Sequence, residues 1–457
     1  MKLHFIAIGG SAMHNLAIAL HKRGYQITGS DDEIFEPSKG RLKKYGLLPK
    51  NIGWDTSKIT TNIDAVILGM HARIDNPELK KAKELGLKIF SYPEYLYEQS
   101  KNKKRVVIGG SHGKTTITSM ILHVLNYYGI NCDYMVGAQL EGFEVMVKLT
   151  DDAEIMVIEG DEYLTSPIDC RPKFHLYMPH IALISGIAWD HINVFPTYEN
   201  YIEQFEIFTK IIKDGGTLIY CKDDKEVEKI TRKVKNSIEK IPYSLPDFEV
   251  ENSITSIIYD DKKYPLQIFG KHNLLNINGA RFVCNKLGIN SHDFFKAISG
   301  FKGASKRLEL ILKDKTTNIY KDFAHSPSKL KATINAAKEQ FSDRKLVACM
   351  ELHTFSSLNS EFLNLYKNCM DSADIPIVYF NSHTIELKKL PPLSIQKVKE
   401  SFNNSDLIVY TDSRKLSNDL LKMNMENSNL LLMSSGNFDG IDFKEFAKKI
   451  LKKKTIE

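Results

Sequence analysis

No stretch of the 457-residue chain stays apolar long enough to span a membrane, because the opening run of Leu3, Phe5, Ile6 and Ile8 is cut by Gly9 and Gly10. Neither a transmembrane helix nor a signal peptide is expected. Cysteine is scarce: the six, at 132, 170, 221, 284, 349 and 369, are scattered without paired spacing. That excludes a zinc module or a disulfide framework and leaves reduced core thiols. Short-period repeats and low-complexity segments are absent, which excludes a solenoid. Neither sign of charge dominates, with 62 Lys and Arg against 56 Asp and Glu for a net +6. The densest basic run, Lys448 to Lys454, reads as a solvated helix end, so no nucleic-acid or membrane partner is expected. The expected compartment is the cytoplasm.

What is present is ample apolar material, 42% of residues, in a chain long enough for about three domains. Residues 3 to 8 form a short apolar run ending in a glycine turn. Met13, Leu16, Ala17 and Leu20 then recur at helical spacing until Gly24, and Gln26 to Thr28 lead into Gly29-Ser30-Asp31. This is a βαβ unit of the nucleotide-binding kind. A second start follows the polar linker Ser100 to Lys104, where Val106, Val107 and Ile108 make a buried strand. Ile117, Met120, Ile121, Val124, Leu125 and Tyr128 then mark one helix face that Gly129 stops. A third start lies near 303, after which apolar runs at Ile319 to Lys321, Leu346 to Met350, Ile377 to Phe380, Leu407 to Tyr410 and Leu430 to Met433 alternate with helical stretches. Alternating strands and helices predict an α/β fold of parallel sheets covered on both faces. The expected domains are residues 1–102, 103–302 and 303–457: Rossmann-like, a central P-loop domain, and Rossmann-like again.

The strongest chemical signal is Gly109-Gly110-Ser111-His112-Gly113-Lys114-Thr115-Thr116 between a strand and a helix. Glycines let the backbone close on phosphate oxygens, and the helix start aims amide donors at them. Lys114 adds a full charge near the outer phosphates, and the Thr115 hydroxyl is placed for Mg²⁺. The usual pattern would put glycine at 108, where this chain has Ile108, so the loop is a shortened variant. The strand Ile155 to Ile158 runs into Glu159-Gly160-Asp161-Glu162, and Ile181 to Ile184 leads through Trp189 to Asp190-His191. Both acidic segments follow strands in the domain with the phosphate loop, which points to metal binding rather than solvated surface.

Three other segments are less specific. At the first glycine turn, Ser11 and His14 stand where a dinucleotide fingerprint would have its second and third glycines, which weakens an NAD reading and leaves a diphosphate on this helix start. Asn273 and Asn276 could read a base edge; from the residues alone they are a cap and a surface residue. Asp322-Phe323-Ala324-His325-Ser326-Pro327 reads equally as a cleft edge or as a helix-start turn.

Taken in order along the chain, Gly110 to Thr116, Glu159, Asp190-His191, His272-Asn273-Asn276 and Asp322 to Pro327 resemble the motifs of the Mur ligase family, ATP-dependent amide-forming enzymes of cell-wall precursor synthesis. The resemblance implies ATP on Gly110, Ser111, His112, Gly113, Lys114, Thr115 and Thr116. It places adenine near Asn273 and Asn276, and ribose or linker contacts on Arg307 and Asp322. Mg²⁺ would lie on Thr115, Glu159 and His191. The N-terminal domain would hold the uridine diphosphate of UDP-N-acetylmuramate on Gly9, Gly10, Ser11, Ala12, Met13, Ser30 and Asp31. Tyr201 to Ile207 contains no lysine, whereas some branches carry a carbamylated one there. That absence resembles the branch acting directly on UDP-N-acetylmuramate, whose amine partner is either L-alanine or a recycled tripeptide, L-Ala-γ-D-Glu-meso-diaminopimelate. Phe35-Glu36-Pro37-Ser38, Asp161-Glu162-Tyr163, Asp169 to Phe174, Val194-Phe195-Pro196 and Met433 to Gly440 resemble the tripeptide branch. Met350 to Thr354 departs from both.

The implied reaction is attack of the lactyl carboxylate on the γ-phosphate of ATP and displacement of the acyl phosphate by the amine, with Lys114, Glu159 and His191 as catalytic candidates and His325 as a candidate base. A monomer or homodimer with hinges near 102 and 303 is expected. Two rivals fit worse: a GTPase-like switch lacks its guanine reader, since Asn285-Lys286-Leu287-Gly288 has no aspartate, and a dehydrogenase lacks glycines at 11 and 14.

Overall fold

The computed structural model describes residues 1–137, 139, 143–190, 194–304 and 307–453. The chain divides into two compact units: Met1–Trp189 with Val194–Ser244 and Ile277–Phe294, and Leu245–Asn276 with the chain from Phe295 onward and Asp190.

The first unit holds two parallel-dominated sheets. The N-terminal one is built from β1 (Lys2–Ile6), α1 (Ser11–Lys22), β2 (Gln26–Ser30), α2 (Ser38–Lys44), β3 (Ala65–Leu68), α3 (Pro77–Glu84), β4 (Ile89–Ser91) and α4 (Tyr92–Ser100). Its strands run parallel in the order β2-β1-β3-β4. The pattern explains the elements: Leu3 and Phe5 pack on one face with Leu16 and Leu20 of α1, while Ile6 and Val66 pack on the other with Leu79 of α3. His4 and Glu78 form a fully buried pair between β1 and α3, 3.2 Å apart.

The central sheet takes β5 (Lys104–Gly109), α5 (Lys114–Tyr127), β6 (Cys132–Met135), β7 (Val147–Lys148), β8 (Ile155–Glu159), β11 (Ile181–Ile184), α6 (Tyr198–Lys210), β12 (Thr217–Cys221), α7 (Lys225–Lys233) and β13 (Glu239–Tyr243), with β9 (Leu164–Ser166) and β10 (Asp169–Pro172) forming a separate hairpin. Its order is β13-β12-β11-β5-β8-β6-β7. β5 thus sits mid-sheet between β11 and β8, so the loops after all three strands share the carboxyl edge. Every residue of β5 after Lys104 is buried, as a parallel strand covered on both faces requires.

The junction expected to hinge, Ser100 to Lys104, is fastened from inside. Arg105 is 1% exposed. Its guanidinium donates to the carbonyls of Ser100, Lys101 and Lys103 at 2.7, 2.9 and 3.2 Å, and to those of Tyr177 and Met178.

The second unit carries an antiparallel ribbon, β14 (Phe248–Glu251), β15 (Ile254–Tyr259) and β16 (Lys262–Pro265), and the start of α8 (Lys271–Lys286); α9 (Ser291–Ile298) precedes the last sheet. That sheet contains β17 (Glu309–Lys313), β18 (Thr317–Asp322), β19 (Lys345–Leu352), β20 (Ile375–Phe380), β21 (Ile408–Tyr410) and β22 (Ser428–Met433), in the order β17-β18-β22-β19-β20-β21. All pairs are parallel except β17 with β18. Its helices are α10 (Pro327–Gln340), α11 (Ser382–Leu387), α12 (Ile395–Phe402), α13 (Ser413–Lys422) and α14 (Phe443–Lys453). No described helix is long and apolar enough to cross a membrane.

Candidate active site

The loop from β5 to α5 is shaped by two glycines with positive φ, Gly110 at 131° and Gly113 at 78°. Any Cβ at Gly110 would collide with Ser185, whose hydroxyl donates to the carbonyl of His112. The close approach explains why glycine stands there, and Gly113 caps α5 in the left-handed conformation that side chains resist.

Lys114, the first residue of α5, donates to the carbonyl of Gly110 at 2.7 Å and to Glu162 at 2.6 Å. Burial alone would lower this ammonium, but Glu162, Asp161 and Glu159 outweigh it and hold its pKa above the ordinary value. Thr115 donates its hydroxyl to Glu159 at 2.8 Å, and Glu159 also accepts the amide of Gly137 at 2.9 Å. Burial pushes the Glu159 carboxyl up. A buried carboxylate whose principal partner is a threonine hydroxyl is the oxygen set a hard divalent cation takes, so these two residues fit Mg²⁺. His191, the third expected ligand, lies outside the described residues.

The acidic run after β8 divides its work. Asp161 pairs with Lys173 at 2.5 Å. Burial would raise this carboxyl, yet Lys173 and Lys114 bring it down to about 2. Glu162, 1% exposed, meets Lys114 and the phenol of Tyr201, the latter at 3.2 Å. Tyr201, fully buried on α6, also lies 2.9 Å from the hydroxyl of Ser111, which accepts the amide of Ala188 at 2.9 Å. Glu162 and Tyr201 were not among the sequence candidates. The acidic run contained the first, but nothing in the sequence brings position 201 to the loop.

The N-terminal turn is built differently. No acidic residue lies in the first turn of α1 and no side chain caps it. Asp31 accepts the Gly9 amide at 2.6 Å, and burial above all pushes its carboxyl up to about 6. Ser30 is fully buried, with its hydroxyl 3.2 Å from the Lys58 ammonium. Of the other candidates here, Ser11 and Ala12 are exposed at the helix start and Met13 is buried beneath it.

In the second unit Asp322 ends β18 and accepts the amides of Leu308 and Ala324, both at 2.6 Å. Arg307 lies over the ring of Phe323 at 4.9 Å. His325 is brought down to about 4 by burial and by Lys329. Asn273 and Asn276 are each 8% exposed, so Asn276 is not the surface residue its sequence context implied; the Asn273 side-chain amide donates to the carbonyl of Phe269, just before α8. Asp190 pairs with Lys329 at 3.8 Å within this unit.

A family model described as the Mur ligase middle domain matches residues 108–284, and one described as the Mur ligase family catalytic domain matches residues 2–104. The chain is 30% identical over 441 residues to the UDP-N-acetylmuramate–L-alanine ligase of Sulfurihydrogenibium sp., covering 94% of each. Its fold resembles a murein peptide ligase from Psychrobacter arcticus, with a TM-score of 0.66 at 23% identity over 98% of both chains. It also resembles a UDP-N-acetylmuramate-alanine ligase from Thermotoga maritima, with a TM-score of 0.71 at 19% identity over 100% of this chain and 99% of that one.

Proposed function

This chain belongs to the Mur ligase family and is an ATP-dependent carboxylate–amine ligase; from that premise we propose that it joins the lactyl carboxylate of UDP-N-acetylmuramate to the amine of L-Ala-γ-D-Glu-meso-diaminopimelate. The observation that carries the ATP chemistry is the Thr115–Glu159 contact of 2.8 Å beside Lys114. Thr115 and Glu159, with His191, would hold Mg²⁺, which supplies charge neutralisation at the phosphates. Lys114 and the loop amides bind and orient the γ-phosphate for attack by the carboxylate, giving an acyl phosphate. The roles of Asn273, Asn276, Arg307 and Asp322 toward adenine and ribose, and of the Gly9 to Met13 turn with Asp31 toward the uridine diphosphate, belong to this proposal. So do the boundaries near 102 and 303 and a cytoplasmic location.

Support for the tripeptide lies in Asp161-Glu162-Tyr163, Asp169 to Phe174 and Met433 to Gly440. The second reading, L-alanine as the amine, is favoured by the 30% identical relative of that name. Phosphate release should be measured with UDP-N-acetylmuramate, ATP and either amine. Turnover with the tripeptide is expected, turnover with L-alanine alone would replace the first reading with the second, and turnover with neither would sink both.

A further inference from the structure

We propose that Asn15, on the first helix of the N-terminal sheet, is a positioning residue for the metal carboxylate of the central sheet: it holds the residues before β7 so that the Gly137 amide fixes Glu159. This rests on the ligase reading above, in which Thr115 and Glu159 hold Mg²⁺.

The two oxygens of Glu159 have separate holders. One accepts the Thr115 hydroxyl at 2.8 Å and the other the Gly137 amide at 2.9 Å, so the two donors together set the plane of the carboxylate. Thr115 is fixed by its place in the first turn of α5. Gly137 lies just after β6, and a Cβ there would stand 2.9 Å from Glu159, the close approach that glycine permits. The amide of the preceding residue, Val136, donates to the carbonyl of Met146 at 2.9 Å, so the placement of Gly137 depends on the start of β7. Yet β7 is a two-residue strand at the edge of its sheet, in register with β6 at two positions. A pairing that short does not set its own register.

The register is set from α1. The Asn15 side chain accepts the Met146 amide at 2.9 Å and donates to the Ser11 carbonyl one helical turn back at 2.7 Å, an anchor that aims its oxygen away from the helix. Asn15 is 2% exposed, and a side-chain amide buried so deeply costs free energy unless both its ends are bonded, as they are here. Glu144, two residues before Met146, is fastened to the same domain: it accepts from Lys22 of α1 at 2.8 Å, from the Tyr45 phenol at 2.6 Å and from Lys44 of α2. A line of hydrogen bonds therefore runs from the first turn of α1 through Met146 and Gly137 to Glu159. Breaking it at Asn15 loosens a partner of the metal carboxylate while leaving Lys114, Thr115 and Glu159 themselves intact.

The test uses the full chain and removes one bond from either side: Asn15→Leu takes away the acceptor, and Met146→Pro takes away the amide donor at the start of an edge strand, where proline is tolerated. Mn²⁺, the probe used in place of Mg²⁺, is titrated with ADP present and followed by electron paramagnetic resonance. Each variant should bind it about 10-fold more weakly, and Gly137→Ala, which presses on Glu159 directly, about 10–100-fold more weakly. ADP affinity measured by calorimetry without metal should stay within several-fold of wild type, and kcat should recover as Mg²⁺ is raised; a chain that is merely damaged recovers neither. Unchanged Mn²⁺ binding in either folded variant, or an equal loss of ADP affinity without metal, would overturn the inference. Wild type that binds no Mn²⁺ in the presence of ADP would overturn the metal site of the ligase reading, and this inference with it.

Discussion

The turns after β1 and β5 do the same job of joining a parallel strand to a helix start by different means: after β1 the left-handed residue is Ala7, after β5 they are Gly110 and Gly113. Each contains a glycine pair, Gly9-Gly10 and Gly109-Gly110, and each ends at a helix start, where backbone amides can meet an anion. After β5 the turn is crowded with charge: Lys114, Glu162, Asp161, Lys173 and Glu159 share a few ångströms of strand edge. After β1 the Gly9 amide meets the Asp31 carboxyl, which burial pushes up to about 6, and the Gly10 carbonyl lies 2.9 Å from the His14 ring. On the proposed reading, the first turn would only hold a diphosphate and could rely on amides, because bound charge there would not change during the reaction. A turn where phosphoryl groups move needs counter-charge at hand, which Lys114, held between the Gly110 carbonyl and Glu162, would supply there.

If that contrast is right, Lys114→Ala should lower kcat by about 10³-fold while calorimetric binding of UDP-N-acetylmuramate is unchanged; loss of both would mean the turns are not separate in function. A smaller effect is expected at the other turn. A Cβ at Gly9 would sit 2.9 Å from both Asp31 and Ile34, so Gly9→Ala should raise KM for the UDP-sugar about 10-fold and leave KM for ATP alone.

The smallest effect is a pH dependence. The folded Asp31 carboxyl lies near 6, above its ordinary value, so the stability it contributes is complete below about pH 4 and lost as pH rises through 6. Asp31→Asn keeps an acceptor for the Gly9 amide and removes the ionisation. Its melting temperature relative to wild type should rise by a few degrees between pH 4 and 7. A flat difference would show that Asp31 is already ionised and the first turn is not the neutral one.

Much of this was legible in the sequence where local pattern and fold agree. Because buried parallel strands are continuously apolar, the apolar runs at 106–108, 155–158 and 181–184 and those of the last sheet at 346–350, 377–380 and 430–433 lie within observed strands, while 3–8 overruns β1 by two residues and 407–410 starts one before β21. The antiparallel additions were not legible: β14 to β17 are only four to six residues long, carry no shared period, and take their pairing from neighbours along the ribbon or from β18. The loop Gly110 to Thr116 and Glu159 were found because their roles depend on neighbours in sequence. Tyr201 was not, since its contact with Ser111 spans 90 residues, and the helical period of α6 marks it only as core. Asn276 was misread as surface for the same reason: which face of α8 is covered depends on packing, not on the polarity of the residue.

Arg105 gives the boundary near 102 a meaning that composition does not. The polar stretch Ser100 to Lys104 invites separation of the first hundred residues as an independent piece. Cutting there would strip carbonyl partners from a guanidinium already 1% exposed, leaving a desolvated cation and orphaned acceptors on both fragments. The N-terminal and central sheets should therefore unfold in one cooperative step, the junction behaving as a rivet between them, and amides from 100 to 105 should exchange with solvent as slowly as those of the central sheet itself.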